Sequence, residues 1–386
     1  MTEWQQSACI LCSANCGIEV RLDGRRFERI RGDKAHVESK GYTCEKALRL
    51  DHYQNGRHRL THPLRRAADG SYERIDWDTA IAEVAEGFAR VRDTHGGDKI
   101  FYYGGGGQGN HLGGGYASST RSALGITYAS NALAQEKTGE FWVDGQLFGA
   151  STCHTAGDYE HAEVAVFWGK NPWQSHGFPR ARVVLKEIAK DPDRRLVVVD
   201  PKRTETAELA DIHLAPLPGT DGFVLAALVA ALFEGDLVDT DFLAGHTVGI
   251  EQVEAAFAGV DVDDFARRAG LDPSEVRDLA SVIGRAGSVS VFEDLGIQMA
   301  PHSTMNSYLE KLVVMLTGNF GRPGGMNLHT VFGPLFGRHD HRRTPVTGHR
   351  LVTGLVPCNV IPDEIATDHP DRFRAMLVES GNPAHS

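Results

Sequence analysis

The chain has 386 residues, 41% of them hydrophobic, and a formal net charge of −11 at pH 7. This length accommodates two or three domains with cores of their own, and the acidic balance disfavours a general nucleic-acid-binding protein. No apolar run is long enough to span a membrane, and residues 1–8 lack the basic and apolar features of an export signal. We therefore expect a cytoplasmic protein with no membrane span and no nucleic-acid partner.

The first motif is a group of cysteines near the N-terminus. Cys9, Cys12 and Cys16 lie within eight residues, and Cys44 follows a segment that alternates like a hairpin turning at residues 23–24. Four thiolates on a small β-rich module bind either a zinc ion or an iron–sulfur cluster. Zinc sites commonly pair their cysteines two by two, whereas here the fourth cysteine stands alone, which favours a [4Fe–4S] cluster. Zinc and four unrelated thiols are the alternatives.

Lys46 follows the fourth cysteine by two residues. A fixed positive charge between the cluster and a second redox centre would stabilise an added electron. The alternative is a solvated lysine, which is the usual environment of this side chain.

An amphipathic helix and a buried strand follow the module. The segment 75–96 carries a capping aspartate, Asp76 or Asp78, at its start. The apolar residues on one face of this helix are Trp77, Ala80, Ile81, Val84, Phe88 and Val91. The strand at residues 99–103 runs into Gly104–Gly107 and Gly109, which permit close backbone approach to a ligand but lack the lysine of a P-loop.

Strands and helices alternate from residue 162 onward. Strand-and-loop segments at 162–172, 194–222 and 287–301 alternate with helices at 181–193 and 222–235 and within the segment 307–327, as is typical of a doubly wound α/β domain. The segment 194–222 is expected to contain a second strand and a third edge strand. In such a domain ligands bind at the carboxyl ends of the strands. The loops that begin WGKNP, VDPKR, PGTDG, LGIQ and GNFGRPGG are therefore expected to line one crevice.

The side chains of these loops suit a nucleotide. Asp200 is expected to accept ribose hydroxyls or the amide edge of guanine, and Lys202 and Arg203 to face phosphate. The glycines that would allow close backbone approach are Gly169, Gly219, Gly321, Gly324 and Gly325. The alternative is that these loops are only the turns that any α/β domain needs.

Several motifs together resemble the molybdopterin oxidoreductase family, which includes formate dehydrogenases, periplasmic nitrate reductases and thiosulfate or polysulfide reductases. They are Cys9-x2-Cys12-x3-Cys16-x27-Cys44-Glu-Lys46, WDTA, WGKNPWQSHG, VVDPKRTETAELADIHL, PGTDG and TGNFGRPGGMN. The resemblance implies molybdenum or tungsten held by two molybdopterin guanine dinucleotides, with the [4Fe–4S] cluster passing electrons to or from it. It also implies a small oxyanion-type substrate and an electron-transfer protein as partner.

The resemblance assigns site residues by position. Cys9, Cys12, Cys16 and Cys44 would hold the cluster, and Lys46 would lie between cluster and pterin. The residues that would bind the dinucleotides are Gly169, Lys170, Asn171, Pro172, Asp200, Pro201, Arg203, Thr204, Gly219, Thr220, Asp221, Gly296, Gly321 and Arg322.

The chain departs from the family at the metal. Formate dehydrogenases present a cysteine or selenocysteine followed by histidine, and a gapless count places Gln135 and Glu136 there. Cys153 comes too late to match. We expect the metal to keep an oxo, sulfido or water ligand, with Gln135 as hydrogen-bond donor and Glu136 as proton acceptor beside a helix beginning near Lys137 or Thr138. The alternatives are helix capping by both residues, and His154 or His176 as the base.

The expected architecture is a small β-rich [4Fe–4S] module followed by doubly wound α/β domains with mainly parallel sheets. We predict domains at 1–60, at 61–130 with 326–386, and at 131–325. Because residues 381–383 resemble a loop that the family places mid-chain, we expect a truncated or split-gene product with a separately encoded C-terminal half. Two other readings are a scaffold that binds the cluster without turnover and a zinc-stabilised α/β binding protein.

Overall fold

The computed structural model describes residues 3–12, 14–104, 111–149, 155–328 and 341–384, and of residues 111–114 only the backbone. The chain divides into two compact units, which we call unit 1 (residues 1–135 and 340–386) and unit 2 (residues 136–339). No helix in the described part is long and apolar enough to cross a membrane.

Unit 1 begins with a small antiparallel sheet. Its strands are β1 (Trp4–Ala8), β2 (Gly17–Asp23) and β3 (Arg26–Gly32), and two short helices follow, α1 (Glu45–Leu48) and α2 (Leu50–Asn55). β2 pairs with both neighbours, so the predicted hairpin is confirmed. Ile18 and Val20 of β2 pack against Ala47 and Leu50 to form the core of this module.

The next part of unit 1 contains a hairpin, helices and two parallel strands. These elements are β4 (Leu64–Arg66), β5 (Tyr72–Arg74), α3 (Trp77–His95), a 3-10 turn (Gly97–Lys99), β6 (Ile100–Gly104), α4 (His111–Leu124), β7 (Tyr128–Ser130) and α5 (Leu133–Glu136). The Asp76 carboxylate accepts a hydrogen bond from Thr79 N at 2.8 Å, which caps α3 as predicted.

Unit 2 is built on a four-stranded parallel sheet. Its strands are β9 (Val164–Trp168), β10 (Arg195–Val199), β11 (Ile212–Leu214) and β12 (Val289–Glu293), in the order β11-β10-β9-β12. The strand order reverses at β9, so the crevice between the carboxyl ends of β9 and β12 is the topological switch point. A separate antiparallel pair joins β8 (Thr155–Gly157) to β13 (Met326–Leu328).

Helices cover both faces of this sheet. The helices of unit 2 are α6 (Thr138–Phe148), α7 (Pro172–Ser175), α8 (Ala181–Ile188), α9 (Asp221–Glu234), α10 (Thr240–His246), α11 (Ile250–Phe257), α12 (Val262–Arg268), α13 (Pro273–Arg285), α14 (Leu295–Gln298) and α15 (Ser303–Leu316). Val166 and Val197 lie in one core with α9, whereas Phe167 and Val198 lie in the other with α8. Alternate residues of each strand thus face opposite layers, and the expected doubly wound fold is confirmed.

The chain then completes the sheet of unit 1. After a 3-10 turn (Cys358–Val360) and α16 (Ile361–Ile365), β14 (Ala375–Glu379) pairs parallel to β6 in the order β14-β6-β7. Residues 381–383 follow β14, so they do form a strand-end loop. The three-domain division stays a prediction.

The apolar face of α3 is only half covered. Phe88 and Val91 pack against the core beside β6. Trp77, Ile81 and Val84 are 64%, 62% and 55% exposed. The helix and its apolar face are as predicted, but the first half of that face contacts solvent in the described part of unit 1.

Candidate functional site

The cysteine module brings its four thiols near one another. Cys9 N donates to Cys16 O at 2.9 Å, which closes the loop that carries the first three cysteines, and Cys44 precedes α1. Burial raises the pKa of the Cys16 thiol to about 11, and the charges of Cys12, Cys9 and Cys44 act in the same direction. Cys9 lies in the core of this module, and Cys16 and Cys44 pack against that core.

The sequence allows two metal sites in this module, a zinc ion and an iron–sulfur cluster. Among the described residues, no three His, Cys, Asp or Glu side chains are grouped to hold one metal ion. A cubane cluster is larger than one ion, since each cysteine binds a different iron atom and the thiolates stand further apart. Four neighbouring thiols on one small module fit such a cluster. Binding would require the raised thiol pKa values to fall as protons are displaced.

Lys46 is exposed on α1 and lies close to the thiols. Its charge acts on the Cys9 thiol and lowers the pKa, against the larger raising effect of burial. This position is compatible with the electrostatic role expected from the sequence.

In unit 2 the loops after β9 and β10 lie side by side at the carboxyl edge of the sheet. Trp168 and Val199 are paired at the ends of these strands, and Gly169 N donates to Val199 O at 2.9 Å. Asp200 N donates to Leu214 O at 3.0 Å, which brings in the end of β11. The expected positions of Gly169 and Asp200 at one edge are thus observed.

Gly169 and Gly296 meet at the switch point. Gly296 N donates to Gly169 O at 3.0 Å. A Cβ atom on Gly169, whose φ is +59°, would lie 2.8 Å from Gly296 Cα and 2.6 Å from Ile297 N. Only glycine permits these two backbones to touch, so the glycines serve the contact between loops as well as any approach to a ligand.

Side chains also join the loops after β9 and β10. Asn171 Nδ2 donates to Glu205 Oε2 at 2.8 Å, and Thr206 Oγ1 donates to Asn171 Oδ1 at 2.6 Å. Gln174 Nε2 donates to Glu205 Oε1 at 2.9 Å. The hydrogen bond from Gln174 is the main cause that lowers the pKa of Glu205 to about 2. We call Asn171, Gln174, Glu205 and Thr206 the loop clamp.

Two carboxyl groups lie near each other at this edge. Asp221 Oδ1 accepts from Trp168 Nε1 at 2.9 Å. Burial raises the pKa of Asp221, and the charge of Asp200 adds to the effect. A ligand that brings N–H donors, such as the amide edge of a guanine base, would relieve this repulsion. As hydrogen-bond acceptors, the two carboxylates therefore fit the guanine base that the sequence predicted.

The other residues predicted to bind dinucleotide have more local contacts. Pro172 is the first residue of α7, Thr204 Oγ1 accepts from Ala207 N, and Thr220 precedes α9. Pro201 and Arg203 are exposed in the loop after β10. Gly219 has a φ of +81°.

Gly321 and Arg322 lie elsewhere. The loop that carries them follows α15, and Asn319 Oδ1 accepts from Val289 N, the first residue of β12, at 2.9 Å. Gly324 O accepts from Ser290 Oγ at 3.0 Å. This loop is therefore at the amino edge of the sheet, contrary to the expectation that it lines the carboxyl edge, because a helix that follows a parallel strand returns toward that strand's start.

The candidates for catalysis occupy the short helix before α6. Gln135 is exposed, and Glu136 is partly buried. Burial raises the pKa of Glu136, and Asp294 adds to the effect against Lys137. α6 begins at Thr138, as predicted. His154, Cys153 and the glycines at 105–109 lie outside the described residues.

Sequence reasoning missed Asp294 at the switch point, although it placed Lys170 among the residues that bind the dinucleotides. Asp294 directly follows β12 and pairs with Lys170, whose ammonium also lies 4.6 Å from the ring centroid of Phe292. Burial acts to raise the pKa of Asp294, but Lys170 and Lys137 outweigh it and lower the pKa. The available signal was an acidic residue at a strand end, the same signal that identified Asp200.

Two family models match the chain. The model of the molybdopterin oxidoreductase Fe4S4 domain matches residues 2–56. The model of molybdopterin oxidoreductase matches residues 59–355. The chain belongs to the molybdopterin oxidoreductase family. The resemblance found in the motifs is thereby confirmed, and the first match coincides with the cysteine module.

Curated relatives from this family include several kinds of oxidoreductase. The chain is 26% identical to the probable oxidoreductase YyaE of Bacillus subtilis, over 99% of this chain and 56% of that protein. It is 27% identical to a nitrate reductase of Symbiobacterium thermophilum, over 83% of this chain and 44% of that protein. It is 24% identical to formate dehydrogenase H of Escherichia coli, over 92% of this chain and 48% of that protein. The chain thus spans about half the length of the curated relatives it matches.

A solved structure supports the fold. The acetylene hydratase from Pelobacter acetylenicus superposes with a TM-score of 0.72 at 19% identity, over 83% of this chain and 44% of that one.

Proposed function

We propose that this chain is the cofactor-binding part of a formate dehydrogenase-like molybdenum or tungsten oxidoreductase, which passes electrons between a small oxyanion-type substrate and an external electron-transfer protein. The observation that carries the proposal is the match of residues 2–56, which contain the four cysteines, to the family's iron–sulfur model, with Cys9, Cys16 and Cys44 in one core. A [4Fe–4S] cluster supplies one-electron transfer, and a pterin-bound metal supplies two-electron chemistry at the substrate.

The residues of this chain have separate tasks in the proposal. Cys9, Cys12, Cys16 and Cys44 hold the cluster, and the charge of Lys46 favours an added electron. Asp200 and Asp221 orient molybdopterin guanine dinucleotide through the N–H groups of its base, while the backbone at Gly169 allows the ligand to approach.

Proton handling is assigned to Glu136. A partly buried carboxyl group with a raised pKa is a suitable acceptor near neutral pH. Gln135 donates a hydrogen bond to a ligand of the metal, since its amide cannot replace a thiolate. The chain spans about half the length of its relatives, so the activity of a whole enzyme of this family is part of this proposal.

Metal and nucleotide analysis of the anaerobically purified gene product tests the proposal. We expect about four irons per chain, molybdenum or tungsten, and guanine nucleotide released by acid. Cys44→Ser should lose the iron, whereas Cys358→Ser, outside the module, should retain it. Asp200→Ala should lose guanine nucleotide, whereas the exposed Asp278→Ala on α13 should not.

Other outcomes reject the proposal in distinct ways. A colourless protein containing zinc would contradict the cluster. Iron without pterin would leave a scaffold that binds the cluster without turnover. Oxidation of formate or reduction of nitrate or thiosulfate with an artificial electron dye would identify the substrate.

A further inference from the structure

The interior of unit 2 contains several ionisable side chains with almost no exposure to solvent. Lys311 on α15 is 2% exposed. Its ammonium lies 2.6 Å from Glu310 Oε2, 3.2 Å from Glu293 Oε1 and 3.8 Å from Glu140 Oε1. Asp144 is one turn along α6 from Glu140 and is fully buried. We call these five residues the acid cluster.

The acid cluster contains more acid than base. Four carboxyl groups surround one ammonium, and Glu293 Oε2 and Glu310 Oε1 have no hydrogen-bond partner in the described part of the chain. Uncompensated negative charge is costly in a buried site, so such groups take up protons instead. Burial is the main cause that raises the pKa of Asp144 to about 7 and that of Glu310 to about 8. Protons therefore reside in the cluster near neutral pH.

A line of close contacts joins the acid cluster to the carboxyl edge of the sheet. Lys137 Nζ lies 3.3 Å from Glu140 Oε2 and 3.6 Å from Asp294 Oδ1. Asp294 in turn pairs with Lys170 at the switch point. Acidic and basic groups thus alternate without a gap from Glu310 to the edge where the dinucleotide loops lie.

Among the described residues of unit 2, the other polar groups beside the acid cluster are neutral. Gln298 Nε2 lies 3.5 Å from Glu140 Oε2 and 3.2 Å from Ser307 Oγ. The Tyr159 hydroxyl donates to Val291 O at 3.2 Å, and full burial raises the pKa of that tyrosine well above its usual range. In the described part of unit 2 the charge balance is therefore set by the acid cluster together with Lys137, Asp294 and Lys170, and by Glu136, which interacts electrostatically with Asp294.

We propose that the acid cluster is a proton store that exchanges with the carboxyl edge through Lys137 and Asp294. The role in turnover rests on the proposed function. A proton released at the edge binds the Asp294 carboxylate; Lys137 passes one of its protons to Glu140 and receives the one on Asp294. The net result is one more carboxylic acid in the cluster, and no electron moves. A reaction that consumes a proton runs the same steps backward.

Infrared spectroscopy of the purified chain tests the store without any requirement for activity. A protonated carboxyl group has a carbonyl stretch that shifts in D2O. We expect such a band at neutral pH, reduced in Asp144→Asn and in Glu310→Gln and unchanged in the exposed control Asp278→Asn. A spectrum without the band, or a band that both variants retain, overturns the proposal.

The exchange route has its own test. After mixing with D2O, the band should shift about tenfold more slowly in Lys137→Met, which raises the transfer barrier. Lys137→Arg should stay close to wild type, as should Lys186→Met, which removes an exposed lysine from α8. If Lys137→Met does not fold, as judged by circular dichroism, Asp294→Asn replaces it. Equal exchange rates in all variants overturn the route.

The two proposals fail separately. A chain that shows the band and the dependence on Lys137 but binds no pterin would retain the store and reject the proposed function. A chain that carries the cluster and pterin but shows no such band would retain the proposed function and reject the proton store.

Discussion

The two units differ in how completely their helices are buried against their parallel sheets. In unit 2 the strands β9, β10 and β12 are covered on both faces, and α9 is buried along its whole middle, from Val224 to Leu232. In unit 1 the strand β6 is equally apolar, yet the first half of α3 exposes Trp77, Ile81 and Val84. Periodicity determines which side chains share a face, whereas burial depends on what lies opposite.

The largest difference in stability cost is expected between a substitution in the core of unit 2 and one on the exposed face of α3. Phe167→Ala removes a buried ring that packs against Tyr159, Phe178 and Phe292, and it should destabilise the protein by about 3–5 kcal/mol. Trp77→Ala removes an even larger ring from α3 but should change stability by only about 0.5 kcal/mol or less. Urea unfolding followed by circular dichroism measures both. A cost for Trp77→Ala as large as that of Phe167→Ala would show that the face of α3 is covered in solution.

The second comparison concerns buried acids. Glu364 in unit 1 accepts hydrogen bonds from Val346 N and from Thr347 N and Oγ1. Burial acts to raise the pKa of Glu364, but these donors outweigh it and lower the pKa. Asp144 in unit 2 has its pKa raised to about 7, mainly by burial. The contributions of these two carboxyl groups to the free energy of unfolding should therefore depend on pH in opposite directions.

For Asp144 the folded state holds the proton more tightly than the unfolded state. Stability is then greatest below the unfolded pKa of about 3.9 and falls as pH rises toward 7, by an amount on the order of 4 kcal/mol. Asp144→Asn removes this loss, so its advantage over wild type should grow with pH. For Glu364 the stabilisation is present above the unfolded pKa and is lost on acidification, so Glu364→Gln should be harmful at pH 7 and less so in acid. Parallel pH profiles for the two variants would contradict the assignment.

The smallest difference is expected between two glycines with the same backbone conformation. Gly24, in the hairpin of unit 1, has a φ of +58° and open space at its Cβ position, so Gly24→Ala should cost about 1–2 kcal/mol for the left-handed conformation alone. Gly169→Ala adds contacts with the backbone of Gly296 and Ile297, which should cost a further 1–3 kcal/mol, roughly. Unfolding midpoints of the two variants provide the measurement, and equal costs would mean that the two loops separate easily.

Much of unit 2 was predictable from the sequence. Apolar runs followed by glycine or aspartate predicted β9, β10 and β12 and the loops at their carboxyl ends. Buried parallel strands have continuous apolar sequences, whereas the loops between them do not. The predicted position of the loop carrying Gly321 and Arg322, at the carboxyl edge, was wrong. Because α15 runs back toward the start of β12, its direction would have indicated the amino edge. Strand order depends on contacts distant in sequence, which periodicity does not encode.

The site was only partly predictable. The spacing of Cys9, Cys12, Cys16 and Cys44 carried the cluster assignment, because ligands on a short loop must be near in sequence. The acid cluster was missed because its members come from α6, β12 and α15. Glu310 and Lys311 within the otherwise apolar second half of α15 (residues 309–316) were the available signal, since adjacent charges at core positions require partners elsewhere in the fold.

The loop clamp has a consequence for how fast a ligand leaves. Asn171, Gln174, Glu205 and Thr206 already join the two loops in the protein alone, so folding rather than binding restricts their motion. A bound nucleotide would then order few additional rotamers, so less of its interaction free energy is offset by ordering the loops and its dissociation is slower. Long residence of a cofactor, as opposed to rapid exchange of a substrate, is the behaviour that such a rigid rim favours.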